Sequence, residues 1–260
     1  MKKRIIKGLI LLVAAGLLVA ASIMGTLAYL TSSSSVSNVF TVGNVGIQMF
    51  EHKVTSDGKF VDGNTETGAF TNATPLVDTN SYHLQPDGEY KKDPFIRIHA
   101  GSDESYLFVK IRNDLRNVEA NPDTIMNDGT TEYESLSEQV ARHGWYFIGR
   151  TSNANVYVYE NFVGNNTENV DIQIFDHFKI DPKADLSTHG ASIVTLFGFA
   201  IQTTGFKPDG ATAVTNDQAG LDAARDAWTA IGTEYVMQDT HLVDEEDPFI
   251  KGDNNYGTNP

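Results

Sequence analysis

Apolar side chains recur at every second position through the middle of the chain. Val45, Ile47 and Met49 alternate with polar or glycine partners. Phe95–His99 and Tyr106–Arg112 are β-rich runs flanking a turn-like Ala100-Gly101-Ser102-Asp103. Trp145–Ile148, Val156–Tyr159 and Ile172–Phe175 follow. Successive side chains of an extended chain face opposite sides, so these patterns predict strands. Ile193–Ile201 is apolar at nearly every position, which predicts a central strand covered on both faces. Asp-Gly pairs at 57–58, 62–63, 87–88, 128–129 and 209–210 mark turns, because glycine supplies positive φ and aspartate tolerates it.

Two segments switch to helical spacing. Thr131-Glu132-Tyr133-Glu134 has the spacing of a capping box, and Tyr133, Leu136 and Val140 then share a face before Gly144. Leu221, Ala224, Trp228 and Ile231 share another face, with Gly232 as the stop. Both predict cover for a sheet. The expected fold is all-β, a jelly-roll-like β-sandwich with two short covering helices. No period of a solenoid repeat is present.

The ends read differently. Lys2, Lys3, Arg4 and Lys7 precede an apolar run from Gly8 to Met24, and Gly25-Thr26-Leu27-Ala28 then supplies small residues for a signal-peptidase cut after Ala28. A run of that length is also close to the shortest that spans a bilayer. The polar stretch Thr31–Ser35, with no Lys or Arg before Lys53, lacks a stop-transfer flank and favours cleavage over an anchor. The expected segments are a signal peptide at 1–28, an N-terminal first or donor strand segment at 29–50, the jelly-roll domain at 51–237, and an acidic flexible tail at 238–260. The mature chain then starts at Tyr29.

Charge narrows the partners. The chain carries 19 Lys+Arg against 34 Asp+Glu, a formal net charge of -15. Four of the basic groups lie within residues 1–28, so the remainder is more acidic still and repels phosphate backbones. Nucleic acid is not an expected partner. With no cysteine there is no disulfide scaffold, thiolate metal site or cysteine nucleophile. The seven histidines form no His-Glu-x-x-His pair; His99 and His177 fall in predicted strands and could meet as a two-histidine site. Neither a Gly-x-Ser-x-Gly elbow nor a phosphate-binding loop is found. Asp123–Glu134 is rich in oxygen ligands suited to calcium, yet an EF-hand's alternation fails at Thr124 and Met126. No cofactor and no catalytic residue is expected.

The start of the mature chain is more telling. Leu30, Val36, Phe40 and Val42 are even-numbered, whereas Val45, Ile47 and Met49 are odd. The phase resets at Gly43-Asn44, which predicts two strand segments joined by a bulge or turn. A β-segment with spaced apolar residues and a serine-rich start suits pairing with another chain's sheet edge. From the pattern alone, an ordinary first strand of the same subunit is the simpler reading.

These residues carry a resemblance. Gly25-Thr26-Leu27-Ala28-Tyr29-Leu30-Thr31, followed by Asn38-Val39-Phe40-Thr41-Val42-Gly43-Asn44-Val45, resembles the leader and mature start of the SipW-dependent exported proteins, the TasA and camelysin (CalY) family of Gram-positive bacteria. Leu84–Gly88, Lys92-Asp93-Pro94, Ser105–Lys110, Phe199–Gln202 with Gly205-Phe206, and Ala227-Trp228 follow in the family's order. Residues 51–80 and 113–132 look like private loops. Relatives often carry an acid soon after the cleavage site, where this chain has Ser32–Ser35.

The resemblance implies a jelly roll, export through a dedicated signal peptidase, and assembly into extracellular fibres of a biofilm matrix, at the cell surface or beyond it. The mature N-terminal strand of one subunit then completes the sheet of the next. Carried over, the donor is Leu30, Val36, Phe40 and Val42, the partner is a second copy in a head-to-tail homopolymer, and an accessory matrix protein is a further partner. The family's camelysin label implies a zinc metalloendopeptidase, for which these residues supply no zinc motif. A third reading is a surface adhesin or carbohydrate-binding module, with Trp145, Tyr146, Tyr157 and Tyr159 stacking on sugars.

Overall fold

Alternation turns into two sheets because successive strands cross from one layer to the other. The computed structural model describes residues 40–42, 44–121, 124–129, 133–188, 194–215 and 218–230. Within them, β1 (Phe40–Val42), β13 (Val194–Gln202), β8 (Ser105–Asn113), β10 (Asn155–Tyr159) and β9 (Trp145–Arg150) make a five-stranded sheet in that spatial order. A four-stranded sheet runs β11 (Val170–Gln173), β7 (Phe95–Ile98), β2 (Ile47–His52), β5 (Leu76–Val77). Two small ribbons pair β12 (His177–Lys179) with β6 (Glu89–Lys91), and β3 (Phe60–Asp62) with β4 (Thr65–Thr67). All these pairs are antiparallel except β1 with β13. Two α-helices, α1 (Leu136–Arg142) and α2 (Gln218–Ala230), complete the described residues together with a short 3₁₀ turn. The architecture is all-β, built of mainly antiparallel sheets.

The core has two layers, one on each face of the five-stranded sheet. Leu107, Val109 and Ile111 of β8 pack with Ile47, Ile96 and Ile98 of the other sheet, and with Trp145 and Tyr157. Alternate residues Tyr106 and Phe108, with Val156, Val158, Phe199 and Ile201, form the second layer under Leu221, Ala224, Ala227 and Trp228 of α2. The Trp228 ring stands edge-on to Phe199 at 4.9 Å and tilted to Phe108 at 5.4 Å. At the centre of β13, a Cβ on Gly198 would lie 3.1 Å from Met49 Sδ and 3.2 Å from Ile96 Cδ1. Glycine there lets the two sheets close on one another.

Several expectations are met and some are corrected. Every strand expected from alternation between Val45 and Ile201 is present, within a few residues of its predicted limits, whereas of the segment from Leu30 only Phe40–Val42 is described. Four Asp-Gly turns place the glycine at positive φ, and in the fifth Asp87 itself takes φ 64°. The capping box, however, is Ser135 with Glu138: Glu138 N donates to Ser135 Oγ, and Ser135 N donates to Glu138 Oε2. Tyr133 precedes the helix, and Thr131 and Glu132 lie outside the described residues. Residues 51–80 are not merely loop: they hold the end of β2, the β3–β4 hairpin and β5. These strands are two or three residues long, too short for alternation to register. The signal segment 1–28 and the tail 238–260 lie outside the described residues, as do Ile231 and Gly232. No helix of the described residues is long and apolar enough to cross a membrane.

Candidate functional site: the outer edge of β13

The strands on either side of the phase reset belong to different sheets, and Gly43 itself lies outside the described residues. β1 lies at the edge of the five-stranded sheet, parallel to β13, with Phe40 opposite Phe199, Thr41 opposite Ala200 and Val42 opposite Ile201. Within a few residues the chain enters β2, in the interior of the other sheet. The crossing is pinned by main-chain bonds to the 99–103 turn. Asp103 N donates to Asn44 O at 2.9 Å, and His99 N donates to Gly46 O at 2.9 Å. Gly46 N donates to the buried Ser102 Oγ at 3.1 Å. A Cβ at Gly46 would stand 3.2 Å from His99 Cβ, so any larger residue would push the His99 side chain back by a few tenths of an ångström.

On its inner side β13 pairs with β8 along its whole length, from Val194–Asn113 to Gln202–Ser105. On its outer side β1 covers Phe199–Ile201, and among the described residues no strand pairs with Val194–Gly198 there. β13 is thus the penultimate strand rather than a central one, although its side chains are covered on both faces. Edge main-chain groups of this kind are a template for an added strand. A scan of protein-family models and searches of curated proteins and of solved structures found no match to this chain.

Two charged clusters sit away from that edge. In the first, consecutive residues of β2 meet consecutive residues of the β6–β7 link. Lys92 Nζ donates to Glu51 Oε2 at 2.6 Å, and both side chains are buried. Asp93 Oδ1 accepts from His52 N at 3.0 Å, while its Oδ2 lies 2.7 Å from His52 Nδ1. Burial pushes the Asp93 carboxyl above its ordinary value against these bonds from His52. Burial, with the negative charges of Glu51 and Asp93, drives the Tyr82 hydroxyl far upward. The His52 ring stacks on Phe70 at 4.1 Å. The Lys92-Asp93-Pro94 block therefore acts as a lock on β2.

The second cluster is Glu119. Its Oε1 accepts from Leu136 N at 2.7 Å, the first turn of α1, and its Oε2 accepts from Asn113 Nδ2 at 2.8 Å. Burial outweighs both bonds and pushes this carboxyl up to about 7. A carboxyl raised in the folded state binds its proton more tightly there than in the unfolded chain. Its contribution is therefore full below the ordinary value of 4.5 and is lost as pH rises towards 7. Urea unfolding of Glu119→Gln beside the parent should show the stability difference changing by roughly 1–3 kcal/mol between pH 5 and 7.5. A constant difference would mean that the carboxyl titrates at its ordinary value.

The remaining predicted positions fall as follows. Ala28, Tyr29, Leu30 and Val36 lie outside the described residues, as do 123 and 130–132 of the calcium-suited stretch. Phe40 and Val42 are in β1. His99 packs beside Gly46, while His177 faces the Tyr133 ring, so the two have different surroundings. Among the described residues no group of three or more His, Asp or Glu side chains is arranged to hold a metal ion. Trp145 and Tyr157 are buried, and Trp145 Nε1 donates to Gln173 O at 2.8 Å; Tyr146 is exposed on the opposite face of its strand. These aromatics do not form one sugar-facing platform. Reasoning from pattern missed the β13 edge, because apolar side chains report coverage of faces and say nothing about hydrogen bonding at the sides.

Proposed function

We propose that this chain is a secreted structural protein with a jelly-roll fold, the subunit of extracellular biofilm-matrix fibres that assemble by exchange of the N-terminal strand. The jelly roll is favoured by the repeated crossing of the chain between two facing sheets, at β1–β2, β7–β8 and β10–β11. The observation that carries the function is the pairing at β13: a three-residue parallel edge strand, tied to the body by a short crossover, lies on a nine-residue strand. Such a strand has the same ladder bonds to offer a neighbour's β13 as its own. The register sets Phe40 opposite Phe199 and Val42 opposite Ile201 along the ladder.

Leu30, Val36, Phe40 and Val42 would supply the apolar contacts of the joint. Burying each such side chain stabilises the joint by roughly 1.5–3 kcal/mol before ordering costs. The contact is heterologous and does not close, so identical subunits extend head to tail. Export by a dedicated signal peptidase frees Tyr29 as the first residue. Electron microscopy of the exported product, with N-terminal sequencing, tests the reading. Filaments whose chains begin at Tyr29 are expected; a lone particle at every concentration would remove the structural role.

A further inference from the structure

We infer that Asp209-Gly210 is a site of spontaneous modification, where the aspartate closes to a cyclic imide and reopens as isoaspartate. The inference is independent of the fibre reading. In this reaction the main-chain nitrogen after an aspartate attacks the side-chain Cγ. A C–N bond forms, a C–O bond breaks, and the carboxyl's hydroxyl leaves as water with the nitrogen's proton. Water then adds to either carbonyl of the five-membered ring. Opening at Cγ restores aspartate; opening at the main-chain carbonyl routes the backbone through Cβ and Cγ, with no net change in mass. The step needs a nitrogen whose N–H is not held, a carboxyl free to protonate and turn, and room around both. Glycine after the aspartate helps, because it has no Cβ to block the approach.

Five Asp-Gly pairs occur in the chain, and the fold protects four of them. Gly58 N donates to Thr55 O at 3.0 Å, and a Cβ there would lie 2.5 Å from Tyr90 Cα, so this residue is both held and hemmed in. Gly88 N donates to Gln85 O at 3.0 Å, while Asp87 Oδ2 accepts from Asn127 Nδ2 at 2.9 Å. Gly129 N donates to Met126 O at 2.9 Å. At Asp62 the carboxyl is the group held: Oδ2 accepts from Thr71 Oγ1 at 2.7 Å, and Oδ1 accepts from Thr74 Oγ1. These two bonds keep the carboxyl below its ordinary value, as an ion with no hydroxyl to release.

Asp209 has none of these restraints. Both residues of the pair are exposed, and a Cβ on Gly210 would meet nothing within 4 Å. Among the described residues neither the Gly210 N–H nor the Asp209 carboxyl has a hydrogen-bond partner. The turn is closed by Ala211 N donating to Pro208 O at 3.1 Å. It lies between two anchors. Lys207 Nζ donates to the Glu104 carboxylate at 2.9 Å, and the buried Val214 donates its N–H to Glu160 O at 2.9 Å. One extra backbone carbon between these anchors is taken up in the exposed turn.

The full chain, aged in warm neutral buffer either folded or in urea, then digested and mapped by mass spectrometry with electron-transfer fragmentation, measures all five pairs at once. In the folded chain isoaspartate should accumulate at Asp209 about tenfold faster than at Asp57, Asp62, Asp87 or Asp128, since each of those must first break a bond that the Asp209 pair does not make. In urea the five rates should converge, because the protection comes from the fold. Asp209→Glu should remove the product at this turn, since the larger ring closes far more slowly. Equal rates in the folded chain, or another pair in the lead, would overturn the proposal. So would a lead at Asp209 that persists undiminished in urea, which would trace it to the local sequence.

Discussion

Removing residues 29–42 is expected to yield a folded monomer that makes no filaments at any concentration. Among the described side chains, the inner core layer rests on β2, β7, β8 and their neighbours, and the outer one on β8, β10, β13 and α2. What the deletion removes is a three-residue ladder at one edge and the segment before it. The body should therefore keep a cooperative melt, while β13 presents its outer main-chain groups from Val194 to Ile201. Sedimentation velocity and negative-stain microscopy of the truncated chain make the measurement. Filaments that persist would discard strand exchange, and a chain that fails to fold would mean β1 belongs to the body. A synthetic peptide of residues 29–42 should bind the truncated chain at one to one, because it restores the missing ladder.

The second large effect is expected at the lock between β2 and the β6–β7 link. Lys92→Met should destabilise the protein by about 3–5 kcal/mol, because it strands the buried Glu51 carboxylate whose Oε1 already lacks a partner. Changing both members, Glu51→Met with Lys92→Met, should recover most of that loss, since two methionines of similar length fill the space without an unpaired charge. Urea titrations of the two single variants and the double variant complete a thermodynamic cycle. A loss below about 1 kcal/mol for Lys92→Met would show that the pair is solvated in solution and contributes as a surface bridge would.

The strands were legible wherever they are long enough for alternation to repeat. β8 and β13 run nine residues each and were readable from apolar spacing. β3, β4 and β5 were not, because a two- or three-residue strand holds no full period. The parity change at Gly43-Asn44 was visible as the join of two strand segments, and those segments, β1 and β2, belong to different sheets. The partner of β1 was not visible. Parallel pairing with a strand that begins more than 150 residues later leaves no local mark. The lock shows another limit: Lys92 and Asp93 look like two solvated charges, and only tertiary packing places them against Glu51 and His52. At α1 the helix was found but its cap was misplaced by four residues, since Thr131 and Ser135 both stand three residues before a Glu or its equivalent acid.

The pinned turn between β1 and β2 bears on the mechanics of any polymer built through it. With Asn44 and Gly46 each bonded to the 99–103 turn, almost no slack separates the outgoing strand from the body. Neighbours linked through so short a leash could not swivel freely. Bending rigidity and helical pitch would then be properties of this corner, and lengthening it by a few glycines should turn a stiff rod into a floppy string.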